Sequence, residues 1–337
     1  MKIFFAEIEN WEIDYIKTRL PNAELFFSEK KLDKDNLPEQ VDFDVISAFV
    51  GSVIDEDVLK NFPNIKMVTT RSTGFDHLNL KALKEKNVKV GYVPGYGDNT
   101  VAEMAFGLIL CLSRKIYEAY NRIKETGSFS FEGLCGFDLS GKTIGILGTG
   151  RIGKHMIKIA QGFGMNVIAF DLFPNEALTK EMNFKYLPLD ELLATSDIIS
   201  IHVPYCDSTH HLINSQNIGK IKKGALLINT ARGGIIETDA LVKALNDGVL
   251  GGAGLDVLEE ENIIKDEKEF LLHGHPEGHN LKTVLANHVL IDMPNVIITP
   301  HNAFNTKEAL QRILDTDIEN IKNFMENGEP KFPVPES

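Results

Sequence analysis

The sequence predicts an α/β protein built from two parallel-sheet domains with a cleft between them. Three observations lead there. Short apolar runs alternate with helical patterns along nearly all of the 337 residues, a length that suits two domains. A glycine-rich turn, Gly148-Thr149-Gly150-Arg151-Ile152-Gly153, joins one such run to a helical pattern. Three ionisable residues, Arg232, Glu261 and His301, each lie just beyond an apolar run, where the carboxyl end of a strand carries ligand-binding loops.

The first hundred residues carry strand-like runs at 3–6, 23–27, 45–49, Met67–Thr70 and 88–93. A long helix then opens at Thr100. Thr100 and Glu103 have the spacing of a capping box, in which each side chain satisfies a backbone N–H of the first turn. Its apolar positions nearly encircle it as far as Cys111, so that part is expected to be buried on most sides, and the helix is expected to run past Tyr120 and stop near Gly127. The second series of strands is Thr143–Leu147, Asn166–Phe170, 198–203, Ala225–Asn229, 251–255 and 296–299, followed by a helix over about 306–325. The late position of His301, ahead of a last helix, favours a discontinuous first domain, 1–99 with 303–337, around a second domain at 100–302.

Composition narrows the function. A net charge of −13 repels phosphate backbones and anionic lipid, which argues against nucleic-acid or membrane partners. A local arginine still permits a small anionic substrate. Three cysteines, Cys111, Cys135 and Cys206, have no metal-ligand spacing, and their scarcity suits a reducing compartment. The first residues do not read as a signal peptide, and no stretch is apolar for long enough to span a bilayer. A cytoplasmic protein is expected.

The glycine turn supplies the first chemistry. Gly148 allows a tight turn, Gly150 lets a pyrophosphate approach the backbone, and Gly153 lets the helix pack on the strand. Arg151 and Ile152 open that helix, whose N-terminus offers unpaired N–H groups to phosphate. The next strand ends in Asp171, 18 residues beyond Gly153. A carboxylate there accepts hydrogen bonds from the adenosine ribose and repels a 2′-phosphate, so NAD is expected rather than NADP. The domain that holds this turn is expected to be Rossmann-like, and the pair of domains Rossmann-like or flavodoxin-like.

At this point the chain resembles the D-isomer-specific 2-hydroxyacid dehydrogenases. Gly148–Gly153 with Asp171 looks like that family's NAD fingerprint. His202-Val203-Pro204 looks like its adenine-side segment, and Asn229-Thr230-Ala231-Arg232-Gly233-Gly234 like the block with its catalytic arginine. Asp256-Val257-Leu258-Glu259-Glu260-Glu261 resembles the block with a nicotinamide-binding Asp and, five residues on, the catalytic Glu. Thr299-Pro300-His301-Asn302-Ala303-Phe304 resembles the catalytic histidine block. Arg71-Ser72-Thr73-Gly74-Phe75-Asp76 and Val93-Pro94-Gly95-Tyr96 resemble substrate-side loops. Tyr96 with Phe304 brings the resemblance nearest to the D-lactate dehydrogenase branch. The resemblance implies a substrate-binding domain at 1–99 with 303–337, an NAD-binding domain at 100–302, and a homodimer held through the helix from Thr100.

In that reading Arg232 holds the carboxylate and carbonyl of a small 2-oxo acid with a planar fork that lysine lacks. His301 is the proton donor, and Glu261 fixes the imidazole and stabilises its charged form. Three glutamates run together, so Glu259 is the alternative partner if the loop is shifted. Asp256 accepts from the nicotinamide carboxamide. Val203, Pro204, Thr209, Thr230 and Ala231 border the cofactor. Backbone N–H groups near Thr73 and Gly74 bind the substrate carboxylate, and Tyr96 and Phe304 shape the side-chain pocket. His273, His275 and His279 read as solvent-facing residues of a long polar loop, so no metal is expected. His210 and His211 receive no role, and the stretch 271–288 carries no family motif. Pyruvate reduced to D-lactate is the first expectation. A bulkier 2-oxo acid, glyoxylate or phosphoglycerate is the same-class alternative, and a nucleotide-sensing corepressor the non-enzymatic one.

Overall fold

The computed structural model describes residues 1–261 and 280–335. The chain falls into two compact units, Met1–Tyr96 with Thr306–Ser337, and Gly97–Asn305.

The first unit opens with β1 (Lys2–Phe5), α1 (Asn10–Arg19), β2 (Glu24–Phe27), β3 (Val45–Ala48), α2 (Glu56–Leu59), β4 (Met67–Thr70), α3 (Leu80–Glu85) and β5 (Lys89–Gly91). Its strands form one sheet in the order β2-β1-β3-β4-β5, and every pairing is parallel. The inner strands β3 and β4 are buried at every residue, whereas the edge strand β2 has no buried residue. β4, Met-Val-Thr-Thr, is legible in the sequence through its three β-branched residues, which favour a strand.

The second unit holds α4 (Asp98–Ser113), α5 (Ile116–Thr126), β6 (Thr143–Leu147), α6 (Arg151–Gly162), β7 (Asn166–Phe170), α7 (Glu176–Met182), β8 (Lys185–Tyr186), α8 (Leu189–Thr195), β9 (Ile198–Ile201), β10 (Ala225–Asn229), α9 (Thr238–Asn246), β11 (Leu250–Leu255), α10 (Leu281–Asp292) and β12 (Val296–Ile298). Its sheet runs β12-β11-β10-β9-β6-β7-β8, all parallel. The chain moves outward from β6 through β7 to β8, then crosses back to lay β9 on the other side of β6. The glycine turn after β6 therefore lies at the reversal of strand order, where this sheet type binds ligands. Strand β11 is rich in glycine because α4 lies against it. A Cβ on Gly254 would stand 2.9 Å from the Leu108 Cβ, and one on Gly252 3.4 Å from a Leu112 methyl.

After the second unit the chain returns to the first as α11 (Lys307–Asn327), capped by the Thr306 hydroxyl, which accepts from the Ala309 N–H. Leu314, Ile318, Ile321 and Phe324 of α11 join Ile3, Phe5, Val45 and Met67 in one buried cluster.

Two local expectations need correction. Thr100 and Glu103 do not form the capping box. The helix starts at Asp98 with Gly97 at its cap, so Thr100 is buried inside the first turn, and Glu103 instead accepts from the Asn99 side chain at 3.0 Å. The helix also does not run on to Gly127. It ends at Ser113, Lys115 takes a left-handed conformation (φ 52°), and α5 begins anew. The cause is tertiary. The Phe137 N–H takes the Ser113 carbonyl at 2.8 Å, and Gly136 passes so close that a Cβ would stand 2.1 Å from that oxygen. A helix cannot continue when its carbonyl is claimed from outside and its next turn is occupied. Gly127 does end α5, in the left-handed cap expected of glycine.

Candidate active site

The glycine turn is built as a cradle. Gly148 has φ 96°, and a Cβ there would stand 2.7 Å from the His202 carbonyl oxygen. A Cβ on Gly153 would stand 2.0 Å from the Gly148 oxygen, so the start of α6 sits directly on the turn. Around Gly150 the space is open, with nothing within 4 Å of where a Cβ would be. Gly150 caps α6, and Arg151 opens it with its side chain donating to Asp98 at 2.7 Å. Ile152 packs against the apolar cluster shared by α4, β6 and α6. Two residues thus hold the turn tight while the third leaves room over a helix N-terminus, the arrangement that admits a pyrophosphate.

Asp171 stands at the end of β7 with both oxygens oriented. One accepts from the Thr149 N–H (2.8 Å) and hydroxyl (2.9 Å), the other from the Phe173 N–H (3.0 Å). Thr149 is in turn braced by the Tyr186 hydroxyl at 2.7 Å. Sequence patterning singles out neither Thr149 nor Tyr186, although a threonine between the first two glycines is well placed to hold the acidic residue of the next strand.

At the ends of β9 and β10 two enclosed polar atoms have no protein partner, His202 Nδ1 and Thr230 Oγ1. The other His202 nitrogen meets the Ser200 hydroxyl at 2.8 Å, and burial pushes the imidazole down to about 3, so the ring is neutral. Buried polar atoms without partners are rare, and His202 follows the strand that adjoins the glycine cradle's own, with Thr230 one strand farther out. Both features fit a bound dinucleotide. Val203 is buried and Pro204 exposed. Thr209 is 1% exposed, and its hydroxyl donates to the Pro204 carbonyl (2.6 Å) and accepts from the Cys206 N–H (2.8 Å). It therefore braces the 204–209 loop from within.

Strands β10, β11 and β12 are adjacent and parallel, so their carboxyl ends share one edge of the sheet. Arg232 follows β10 with extended backbone and donates to the Ala231 carbonyl at 2.8 Å. Asn229, another residue the sequence does not flag, folds this turn. Its side chain accepts from the Ala231 N–H (3.0 Å) and donates to the Arg232 carbonyl (2.9 Å). Asp256, after β11, is 1% exposed. It accepts from the Thr299 hydroxyl (2.5 Å) and from the N–H groups of Asn302 (3.0 Å) and Ala303 (2.8 Å). Burial pushes its carboxyl up, against the pull of those hydrogen bonds. In this arrangement Asp256 anchors the turn that carries His301, a role its place at a strand end does not suggest.

His301 adopts φ 52°, and its N–H donates to the Asp256 carbonyl at 2.8 Å. Its Nδ1 lies 2.6 Å from Glu261 Oε1. The carboxylate holds a proton on Nδ1, which leaves proton exchange with a ligand to Nε2. Of the three consecutive glutamates, Glu261 reaches His301, and Glu259 reaches His211 at 2.7 Å.

Of the residues expected on the substrate side, Thr73, Gly74 and Tyr96 lie in the first unit and Phe304 in the second. In the first, the Thr73 hydroxyl donates to the Val93 carbonyl (2.8 Å), the Ser72 hydroxyl to the Gly74 carbonyl (2.6 Å), and the Tyr96 carbonyl accepts from Arg312 (2.6 Å). Arg71, ahead of this loop, is 2% exposed and donates to the carbonyls of Ala6 (2.6 Å), Glu7 (2.9 Å) and Ser47 (3.2 Å). Phe304 belongs to the second unit, half-buried. His273, His275 and His279 lie outside the described residues, and the described part of the 271–288 stretch begins α10.

Residues 106–303, all within the seven-stranded unit, match the family described as D-isomer specific 2-hydroxyacid dehydrogenase, NAD binding domain. The chain belongs to the D-isomer-specific 2-hydroxyacid dehydrogenases. It is similar to 2-hydroxyacid dehydrogenase A of Aspergillus oryzae, 38% identical over 90% of this chain and 85% of that one. It is similar to D-lactate dehydrogenase kk1H of Curvularia clavata, 35% identical over 96% of this chain and 92% of that one. Among solved structures it resembles the D-lactate dehydrogenase of Aquifex aeolicus complexed with NAD and lactic acid, at 34% identity and a TM-score of 0.85, covering 99% of this chain and 100% of that one. As a member of this family the chain is an NAD-dependent D-2-hydroxyacid dehydrogenase, and the glycine cradle with Asp171 fits that cofactor. Among the described residues no helix is long and apolar enough to cross a membrane.

Proposed function

We propose that the chain reduces a small 2-oxo acid to its D-2-hydroxy acid, with pyruvate to D-lactate as the principal reaction. The observation that carries the reading is the His301–Glu261 contact at 2.6 Å, on a turn at the carboxyl edge that also bears Arg232. The Curvularia and Aquifex relatives, named as D-lactate dehydrogenases, support the choice of pyruvate.

NADH, when bound, would supply the hydride that the substrate's carbonyl carbon accepts. The π electrons of the C=O bond move to oxygen, and His301 Nε2 delivers the proton that completes the hydroxyl. Glu261 keeps the other ring nitrogen protonated and offsets the imidazolium charge when His301 is reprotonated. Arg232 holds the substrate carboxylate and carbonyl and neutralises charge on the oxygen as it develops. The 97–305 unit holds the dinucleotide on Gly148, Gly150, Gly153 and Asp171.

A homodimer fits the surface of α5. No residue of this helix is buried, and Ile116, Tyr117, Tyr120 and Ile123 are about half exposed, with Phe129 and Phe131 about 90% exposed just beyond it. An apolar helix face of this kind marks an association surface. A cytoplasmic setting fits the three unpaired cysteines.

The test is NADH oxidation with pyruvate, glyoxylate and 2-oxoisocaproate, scored by kcat/KM. Pyruvate is expected to rank first. A higher rank for 2-oxoisocaproate overturns the choice of pyruvate, and turnover of none of the three overturns the reaction.

A further inference from the structure

We propose that Glu259 is a positioning residue that, clasped by His211 and Thr238, sets the loops carrying Arg232 and Glu261. The proposal rests on the reading of those two residues as catalytic.

Glu259 is held at three points. One carboxylate oxygen lies 2.7 Å from His211 Nε2. The other accepts from the Thr238 N–H (3.0 Å) and hydroxyl (2.5 Å) at the start of α9. Its carbonyl accepts from the buried Asn287 side chain of α10 at 2.6 Å. A carboxylate tied to a backbone N–H, a hydroxyl and an imidazole makes short, directional bonds, so its chain segment has little freedom to slide.

Directly after Glu259 the chain turns to the catalytic carboxylate. Glu260 is left-handed, with φ 55°, and swings the chain so that Glu261 meets His301. In a run of three glutamates a slip of the loop would present a different carboxylate to the same histidine. The His211–Thr238 clasp selects the register, because no other glutamate can fill it while Glu261 faces His301.

Beside Glu259 lies the turn after Arg232. A Cβ on Gly233 would stand 2.0 Å from the Leu258 carbonyl carbon and 2.2 Å from the Glu259 nitrogen. On Gly234 it would stand 2.8 Å from the Tyr205 ring, and the Gly234 carbonyl accepts from the His211 N–H at 2.9 Å. The two residues after Arg232 are therefore sandwiched between the 258–259 backbone and the Tyr205–His211 loop. The His211–Glu259 contact joins the two sides of that sandwich. One side chain fixes both loops, and small displacements of such loops cost rate heavily when the reacting atoms must be aligned.

The test uses the full-length enzyme with pyruvate and NADH. Glu259→Ala is expected to lower kcat/KM for pyruvate about 30-fold or more while NADH affinity changes less than about 3-fold, because the damage is to alignment. Glu259→Gln keeps the size and the acceptor for Thr238 and is expected to restore the rate to within about 5-fold of wild type. In a Glu261→Gln background Glu259→Ala is expected to cost far less than it does alone, since coupled residues are not additive. His211→Ala leaves the Thr238 bonds in place. It covers the case in which Glu259→Ala does not fold, with a smaller loss and the same non-additivity expected. Additive losses, or Glu259→Ala within about 2-fold of wild type, overturn the proposal. A Glu261→Gln enzyme as fast as wild type overturns the catalytic reading and the brace with it. A slow Glu261→Gln enzyme with an additive Glu259→Ala overturns the brace alone.

Discussion

Two histidine–glutamate pairs stand in the seven-stranded unit and look alike by every local measure. His301–Glu261 is 2.6 Å and His211–Glu259 2.7 Å, and all four side chains are partly exposed. Both histidines are left-handed, at φ 52° and 49°. The difference lies in the surroundings of each contact. The second oxygen of Glu259 is bound by a hydroxyl and an amide of α9, whereas that of Glu261 lies 3.4 Å from the Leu258 N–H. His211 is stacked beneath His210, with ring centroids 3.9 Å apart, while His301 rides on a turn anchored by buried Asp256 at the carboxyl edge of the sheet. An ion pair by itself therefore says little about chemistry. Position on the sheet and the remaining bonds of the carboxylate separate a brace from a proton relay.

That contrast is broken most severely if the strand-end residues prove dispensable. Arg232→Lys keeps the charge and loses the fork, and we expect it to cost about 3–5 kcal/mol in kcat/KM for pyruvate. Steady-state kinetics check this, and near-wild-type values would remove Arg232 from the site.

The fold is largely legible in the sequence. Met67–Thr70, Thr143–Leu147, Asn166–Phe170 and Ala225–Asn229 coincide with expected strands, because each is a short run dominated by apolar and β-branched residues. Strand β8, two residues long with no buried residue, has no such run to show. The break between α4 and α5 is set by Gly136 and Phe137, more than twenty residues later in the chain, so no local pattern announces it. In the site, residue types at strand ends are visible, but the bonds that define their settings are not. Asp256 as the anchor of the His301 turn, Thr209 as a loop brace, and the choice between Glu259 and Glu261 all depend on contacts across the chain.

A smaller effect sharpens the cofactor side of the contrast. Asp171→Ala removes a carboxylate that Thr149 and Phe173 hold in place. We expect NAD to lose about 1–2 kcal/mol of affinity while NADP weakens less or gains, because a charge-assisted bond and a repulsion disappear together. Titration of both dinucleotides decides it, and equal changes would show that Asp171 does not touch the ribose.

The smallest effect concerns the loop that leads to His211. Hydrogen bonds with the Ser208 and Thr209 hydroxyls hold the exposed Cys206 thiol below the usual range, whereas burial pushes Cys111 up. A lowered thiol is ionised at lower pH, so alkylation of Cys206 should rise and level off at lower pH than that of Cys111. Saturating NAD should slow labelling at Cys206 if the 204–209 loop borders the cofactor. Peptide mapping across a pH series reads both, and the reverse order of reactivity would contradict the loop geometry.

The most direct test sets the two histidines side by side, as kcat/KM for NADH-dependent pyruvate reduction by His301→Gln and His211→Gln. The account predicts a loss of about 100- to 10,000-fold for His301→Gln, the usual contribution of a positioned proton donor, and no more than about 10-fold for His211→Gln. Equal losses, or a His301→Gln enzyme that keeps its rate, would contradict it.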